Sequence, residues 1–295
     1  MDPCGGGATI SHVAVTEAAP PVAAPIRLYE KGSLLHRTAA ELRALVGYRG
    51  LVRYLVRSEL RSSTTGRFFG FVWWLLDPFL LMGTYVVLVT VIFQRGGGDY
   101  PVFVFTSVLA FRFFSAGIGS AMGRTMGGQG MMKQIRFPAS VLPLAAVTTQ
   151  VFHFAFGLAV LMVFALLFGI YPAPIDLLIV PLVGIQFILT LGIAFLLAAL
   201  NIFMRDIQNL IVYVFRVMFF LSPAIYSLDR VPEEYRKFFQ INPLTPLFEA
   251  YHNVVVDQQL PNFVALGWLL LGSSVGLMFG YLVFVKLERL FNKVL

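Results

Sequence analysis

Arginine recurs at every fourth position in the segment 48–67, at Arg49, Arg53, Arg57 and Arg61, with apolar residues between them. On a helix, residues four apart lie on one face, so the spacing predicts a basic stripe beside an apolar one. Such a helix is typical of the boundary between lipid headgroups and acyl chains, where guanidinium groups pair with phosphate oxygens. The alternative is a soluble amphipathic helix packed on a domain, but the chain offers no soluble domain for it.

Three charged residues lie deep inside apolar stretches: Asp77, Arg112 and Arg216. Each is about 10 residues from the edge of its stretch, which at ~1.5 Å per residue places it near mid-bilayer. An unpaired charge there costs ~2.5 to 3.5 kcal/mol. We therefore expect Asp77 to pair with one of the two arginines and the other arginine to face a water-filled path. The alternative is that the stretch edges lie several residues away and these side chains extend to the headgroups.

The composition is that of a membrane protein. Hydrophobic residues make up 58% of the chain, aromatic residues 15% and charged residues 13%, well outside the range of soluble globular proteins. The net charge of +7 comes from basic residues that flank apolar stretches, so we expect anionic membrane lipids as partners and no nucleic acid. The first 26 residues are rich in Gly, Ala and Pro and do not have the pattern of a signal peptide, and residues 1–47 are predicted to form a cytoplasmic, largely disordered tail.

Six stretches are long and apolar enough to cross a bilayer, which takes ~20 residues. They are 68–93, 102–122, 141–168, 177–203, 210–226 and 263–285. With the N-terminus inside, most of the 22 Lys and Arg residues fall on the inner side, as the positive-inside rule requires. An even number of spans returns the C-terminus to the cytoplasm. The predicted fold class is therefore an all-α integral membrane protein, with an amphipathic interface helix over 48–67 and six transmembrane helices over 68–295.

The loop 227–262 is the longest on the predicted outer side. It mixes charged and aromatic residues and is interrupted by Pro243 and Pro246. This pattern predicts two short re-entrant helices before the last span. Backbone that enters a membrane without crossing it must be buried in protein or line a cavity, so the loop favours a transport pathway.

The longest inner loop ends in "MMKQIRFPASVLP", residues 131–143. Two basic residues, Lys133 and Arg136, are followed there by Phe137 and Pro138. A rigid apolar tip on an exposed loop favours contact with a protein partner. The alternative, a charge cluster that only holds the loop inside, explains the basic residues but not the apolar pair.

Five stretches together carry a resemblance to a known family. They are "GRFFGFVWWLLDPFLLMGTYVVLVTVIF", "IRFPASVLPL", "NIFMRDIQNL", "LSPAIYSLDRVP" and "INPLTPLFEAYHNVV". In them the chain resembles the membrane subunits of ABC-2-type polysaccharide exporters, which move lipid-linked O antigen, teichoic acid or mycobacterial galactan. Two positions depart from the family pattern: Asp77 precedes Pro78 where a polar uncharged residue is common, and His252 follows Tyr251 where arginine is frequent.

The resemblance implies a transport subunit of the bacterial cytoplasmic membrane. It implies a homodimer around a central channel, two separate ATPase subunits bound to the loop between the second and third spans, and a polyprenyl-diphosphate-linked glycan as substrate. The phosphate-binding pattern G-x-x-x-x-G-K-[ST] is absent from the sequence, so we expect ATP and Mg to bind the partner ATPase. We expect no catalytic residues, metal or cofactor in this chain. The Ala/Gly/Pro-rich tail favours a high-GC bacterium and thus galactan among the substrates.

Four groups of site residues follow from the resemblance and from the charge pattern. The ATPase-coupling residues are Lys133, Gln134, Arg136, Phe137 and Pro138. The residues that receive the lipid diphosphate are Arg53, Arg57, Arg61 and Arg67. The channel or intramembrane polar residues are Asp77, Arg112, Arg216, Trp73, Phe219 and Phe220. The outer gate comprises Tyr226, Pro232, Asn242, Pro243 and Glu249.

Two other classes of protein stay open. A secondary transporter is expected to show an internal repeat, and the two halves of this chain show none. An intramembrane glycosyltransferase or acyltransferase needs acids or histidines gathered at one membrane face. The first two outer loops offer only Asp99 and Asp176, although Glu233, Glu234 and Glu249 in the long loop keep an enzyme conceivable. His153, alone in a span, is interpreted as packing.

Overall fold

The structure is a computed structural model that describes residues 47–62, 73–92, 94, 97–128, 130 and 137–294. The described chain is built from helices. They are α1 Arg49–Ser62, α2 Trp73–Val86 with a π-helical continuation Val87–Ile92, α3 Tyr100–Gly127, α4 Val141–Leu166, a 3-10 turn Pro174–Leu178, α5 Ile179–Phe203, α6 Ile207–Phe220, a 3-10 turn Leu228–Arg230, α7 Glu233–Ile241, α8 Leu244–Val255 and α9 Phe263–Val294. The predicted tail, but for its last residue, and residues 63–72 lie outside the described residues.

Four helices in the described part of the chain are long and apolar enough to cross a membrane. They are Tyr100–Gly127, Val141–Leu166, Pro174–Phe203 and Phe263–Glu288. They correspond to the second, third, fourth and sixth predicted spans. The prediction of an all-α, multi-pass membrane protein is thereby confirmed.

Two shorter apolar helices, Leu76–Ile92 and Ile207–Phe220, lie where the first and fifth spans were predicted. The predicted bounds 210–226 are wrong, because α6 has 14 residues and ends at Phe220. At ~1.5 Å per residue such a helix is ~21 Å long, against ~30 Å for a hydrocarbon core. The chain turns at Ser222, whose hydroxyl donates to the Met218 carbonyl (3.0 Å), and Pro223 follows. The count of six spans stays a prediction.

The core is centred on α3, the most buried of the long helices, which packs against α2, α4, α5 and α8. Aromatic pairs fill its contact with α4. The rings of Phe113 and Phe154 stack at 5.2 Å between centroids, and Phe105 meets Phe164 edge to face at 5.6 Å. Rings in these arrangements bury large apolar areas, so these pairs stabilise the contact of α3 with α4.

Helices α5 and α9 approach each other at backbone distance. A Cβ atom added to Gly280 in α9 would lie 2.2 Å from the carbonyl oxygen of Gly192 in α5. A Cβ atom added to Gly192 would lie 2.8 Å from the backbone nitrogen of Leu277. Small residues permit such contacts between membrane helices, where dispersion between close backbones replaces the hydrophobic effect.

The long loop before α9 forms two short helices, as predicted. Glu233–Ile241 is mostly exposed, whereas Leu244–Val255 is mostly buried against α3 and α5. The break between them falls at Asn242 and Pro243, because proline is compatible with a helix start but not with its interior. Their depth in a bilayer stays a prediction.

Candidate functional site

An ion pair joins α2 to α3. Asp77 Oδ2 accepts from Arg112 Nη1, and each side chain is 51% exposed. Arg112 lies 12 positions into α3, so at ~1.5 Å per residue it is ~18 Å from the helix start. The sequence allowed Asp77 to pair with Arg112 or with Arg216, and in the structure it pairs with Arg112. Both groups are half exposed on the surface of the chain, and an exposed ion pair near mid-bilayer would need water or another protein surface beside it.

A cavity between α3 and α4 continues from Arg112. Its polar wall consists of Arg112, Gln150 and His153, and its apolar wall includes Phe113 and Phe156. His153 Nδ1 lies 3.0 Å from Gln150 Oε1, an acceptor, so Nδ1 donates. His153 thus has a polar neighbour on its own helix, and its interpretation as packing stays a prediction. The spacing of three residues that places Gln150 and His153 on one helix face was the available signal.

Arg216 lies on an exposed face of α6, and the ion pair of Asp77 is made with Arg112. Its guanidinium is 5.8 Å from the centre of the Tyr213 ring. The same helix exposes a row of apolar side chains, namely Leu210, Val212, Tyr213, Val217 and Phe220. This face therefore combines apolar residues with a mid-helix cation.

The aromatic residues expected along the channel divide into two kinds. Phe219 is 4% exposed and packs on Phe111 (4.8 Å) and Tyr85 (5.6 Å). This corrects the expectation for Phe219, because a ring held between α2, α3 and α6 presents no face to a substrate. Phe220, by contrast, is exposed. The side chain of Trp73 lies outside the described residues.

The residues predicted for the outer gate include two that fix local structure. Asn242 Nδ2 donates to the carbonyl oxygens of Met218 (3.0 Å) and Leu221 (3.4 Å), and Asn242 Oδ1 accepts from the Leu244 amide (3.1 Å). It therefore satisfies the last carbonyls of α6 and the first amide of α8. The Tyr226 hydroxyl donates to the Phe220 carbonyl (2.6 Å), which closes the turn after α6.

The three other predicted gate residues lie in α7 and α8 or at their starts. Pro232 directly precedes α7 and Pro243 directly precedes α8. Glu249 lies within α8, where burial, and secondarily the charge of Asp229, raises the pKa of its carboxyl. The carboxyl therefore holds a proton more tightly than a solvated glutamate does.

Two buried polar side chains of α8, Tyr251 and His252, hold this helix against the core. The Tyr251 hydroxyl donates to Gln186 Oε1 in α5 (2.8 Å), and Gln186 Nε2 donates to the Ala110 carbonyl in α3 (2.6 Å). Sequence reasoning missed Gln186, which lies 65 positions from Tyr251 and has no local pattern to mark it. The chain of bonds connects three helices within one buried network.

His252 makes the second buried contact of α8. Its Nε2 lies 2.6 Å from Ser107 Oγ and 3.2 Å from the Phe103 carbonyl, which can only accept, so Nε2 carries the proton. The imidazole also stacks on the Phe103 ring at 3.6 Å. Burial lowers the pKa of His252 to about 3, although the bond to the Phe103 carbonyl opposes this shift. The imidazole is neutral at physiological pH, unlike the arginine that the family pattern leads one to expect.

The α1 end of the bundle shows why Phe137 is not an exposed tip. Its side chain is 7% exposed and packs in one cluster with Leu55 and Val56 of α1 and Val141 of α4. Pro138 is buried as well. The prediction that Phe137 inserts into a partner is therefore corrected: the ring fills an internal contact. Lys133, Gln134 and Arg136 lie outside the described residues.

Helix α1 is docked on the bundle by its apolar side. Besides the Phe137 cluster, Glu59 of α1 accepts from Arg124 near the end of α3. The predicted separation of faces holds, since Arg53, Arg57 and Arg61 are exposed. However, the buried apolar residues of α1 face α4. The apolar side is therefore not free to enter lipid, and this part of the prediction is corrected. Arg67 lies outside the described residues.

Comparison with known proteins assigns the family. Residues 50–256 match the family described as ABC-2 type transporter. The chain is 31% identical over 223 residues to the O-antigen export system permease protein RfbA of Myxococcus xanthus, across 75% of this chain and 86% of the relative. The chain belongs to the ABC-2 type transporter family, and the predicted resemblance is confirmed.

More distant relatives are matched over a larger part of the chain. A Klebsiella pneumoniae protein, also named O-antigen export system permease protein RfbA, is 24% identical over 246 residues, across 83% of this chain and 95% of the relative. The polysialic acid transport protein KpsM of Escherichia coli is 22% identical over 244 residues, across 81% and 93%. The family match begins within α1 and ends one residue after α8, so α9 lies beyond it.

Proposed function

We propose that this chain is the membrane permease subunit of an ABC transporter that exports a polyprenyl-diphosphate-linked polysaccharide across the bacterial cytoplasmic membrane. Family membership and the names of the relatives, which refer to export of O antigen and transport of polysialic acid, support the proposal. Among the substrates that the sequence resemblance allows, galactan, teichoic acid and O antigen all share the lipid diphosphate. We therefore propose that the substrate belongs to the class of lipid-linked glycans.

The ion pair of Asp77 and Arg112 is the observation that carries the transport function. Both groups are half exposed on the surface of a single chain, and Arg216 is exposed on α6. Charges at such depth need water or another protein surface beside them. A homodimer that buries this face around a wet channel meets that need, and an arginine in the channel would attract the diphosphate.

The energy source in this proposal is a pair of separate ATPase subunits. They would bind ATP and Mg, and they would contact the segment 131–138 between α3 and α4. The nearest contacts on either side that the structure describes are the ion pair of Arg124 in α3 with Glu59 and the packing of Phe137 on α1. The orientation proposed places α1 and both chain termini in the cytoplasm, which agrees with the positive-inside rule.

The exposed arginines of α1 are the proposed first contact of the lipid diphosphate. Arg53, Arg57 and Arg61 point away from the cluster that holds α1 on α4. Guanidinium groups bind phosphate oxygens through two parallel hydrogen bonds. In the proposed orientation they lie at the level of the inner headgroups, where a lipid-linked glycan is assembled.

Depletion of this chain in its host tests the proposal. The expected result is accumulation of polyprenyl-diphosphate-linked glycan that an added external glycosidase cannot reach. In vitro, the purified chain should hydrolyse no ATP until the co-purifying ATPase is present. ATP turnover by the chain alone, or unchanged glycan exposure after depletion, would contradict the proposal.

A further inference from the structure

The turn before α4 is hydrogen-bonded to a distant part of the chain. The first amides of α4 are satisfied within that turn, where Val141 donates to the Pro138 carbonyl (3.1 Å) and Leu142 donates to the Ala139 carbonyl (3.0 Å). The Ala139 amide precedes the N-cap residue Ser140 and donates to Glu288 Oε1 at 2.8 Å, from 149 positions away.

Glu288 is well placed to hold this bond. A carboxylate near a helix N-terminus is favoured by the helix dipole, and a hydrogen bond to a charged acceptor is stronger than one between neutral groups. The part of α9 that carries it is fixed on the bundle by Phe291, which is 3% exposed and packs on Phe203 at the end of α5 (6.1 Å between ring centroids). Glu288 therefore attaches the residue after Pro138 to a rigid helix.

Helix α9 is in turn connected to α8 through its contact with α5. It meets α5 at backbone distance through Gly280 and Gly192, where no side chain separates the two helices. Helix α5 holds α8 through Gln186 and Tyr251. A force applied at Ala139 thus has a direct route through α9 and α5 to α8, in addition to the route along α4.

We propose that Glu288 is a positioning residue for energy coupling, which fixes the end of the segment 131–138 to α9 so that movement of the ATPase displaces the bundle. The proposal rests on the function proposed above, in which this segment contacts the ATPase. Without the bond to Glu288, the residues around Ala139 absorb the movement locally. ATP hydrolysis then continues while the conformational response at α8 is lost.

Spin labels beside α8 test this directly. Cys4 is the only cysteine, so Cys4→Ser with Gln259→Cys gives one label per chain at an exposed residue just after α8. The complex with the co-purifying ATPase is placed in lipid vesicles, and the distance between the labels of its two copies is measured with and without ATP. ATP hydrolysis is measured on the same samples.

Four variants are compared in that labelled background. In Glu288→Ala the fraction of complexes whose label distance responds to ATP should fall about tenfold, the effect of losing one hydrogen bond to a charged group, while ATP hydrolysis is retained. Glu288→Gln should keep most of the response, because its amide oxygen accepts the same bond. Lys286→Ala, an exposed position on the same helix, is the matched control and should behave as the parent. Glu288→Asp, which keeps the charge but is too short to reach the amide, should resemble Glu288→Ala and replaces it if that variant does not assemble.

The outcomes separate the two proposals. A full response in Glu288→Ala and Glu288→Asp overturns the positioning role, and so does a loss of ATP hydrolysis in proportion to the loss of response, which is the signature of a structural defect. The proposed function is contradicted before any variant is considered if the labelled parent chain binds no ATPase. It is also contradicted if the parent complex shows no change of label distance with ATP.

Discussion

Asp77 in α2 and Arg112 in α3 form an ion pair, with half of each side chain exposed at the surface of the chain. Pro78 follows Asp77 directly, inside α2, so the helix lacks one backbone hydrogen bond just beyond the pair. Arg112 also borders the cavity that contains Gln150 and His153. The pair therefore fixes α2 to α3 beside a polar region of the bundle.

Asp77→Asn and Arg112→Gln should each destabilise the purified protein, and the double variant should lose less than the sum. The coupling energy in a thermal-unfolding cycle is expected to be about 1 kcal/mol or more, because residues in contact do not behave additively. Asp77→Asn combined with Arg216→Gln is the control and should be additive. Strict additivity of Asp77 with Arg112 would show that the two charges do not interact in the membrane.

Tyr251→Phe should destabilise the protein by about 1 to 3 kcal/mol, because it leaves buried Gln186 Oε1 without its donor. Gln186→Leu removes the acceptor and also the bond to the Ala110 carbonyl. The double variant is expected to be more stable than the sum of the single losses. Melting temperatures of the four proteins in one detergent measure this, and a simple sum would exclude the bond from the network.

Gly280→Ala should lower the melting temperature and weaken the contact between α5 and α9. Its new methyl group would meet the Gly192 carbonyl at 2.2 Å, and a backbone atom cannot yield as a flexible side chain can. Gly272→Ala on the same helix meets no atom within 4 Å and should stabilise by about 0.5 to 1 kcal/mol through reduced chain entropy. Equal effects at the two glycines would argue against the close approach.

Phe137→Ala should cost about 3 kcal/mol or more of stability, the typical loss for a buried phenylalanine. Tyr54→Ala, at an exposed position of α1, is the matched control and should cost little. Protease sensitivity near α1 should rise only in the first variant, because the ring joins α1 to α4. If Phe137→Ala melts as the parent does and fails only to bind the ATPase, the ring belongs to the partner interface after all.

The Glu249 carboxyl should give the protein a pH-dependent stability. Burial raises its pKa above the ordinary 4.5, and Asp229 adds to the shift. The folded state thus favours the protonated acid, so this contribution is present below pH 4.5 and is lost as the pH rises through the raised pKa. Glu249→Gln should therefore gain stability over the parent as pH rises from 4 to 8, whereas exposed Glu234→Gln should not. Parallel melting curves for Glu249→Gln and the parent would contradict the shift.

The long apolar helices and the family were predictable because both depend on continuous stretches of sequence. The end of α6 was not, because hydropathy continues through Leu221 to Tyr226 while the backbone turns at Ser222. The prediction for Phe137 was wrong for another reason. An aromatic residue after a basic pair has the same sequence pattern whether its ring contacts a partner protein or α1. Likewise, Asp77 had two arginines at equal depth, and only the packing of α2 on α3 distinguishes them.

The backbone contact of Gly192 with Gly280 provides an internal standard for measuring motion. Because backbone atoms meet there with no room for a methyl group, we expect these two helices to keep their separation when the rest of the bundle rearranges. Probes attached to the outward sides of α5 and α9 would report an invariant distance in every nucleotide state. Displacements of α2, α6 and α8 can then be measured relative to that pair. This separates the movement of each helix from rotation of the whole protein.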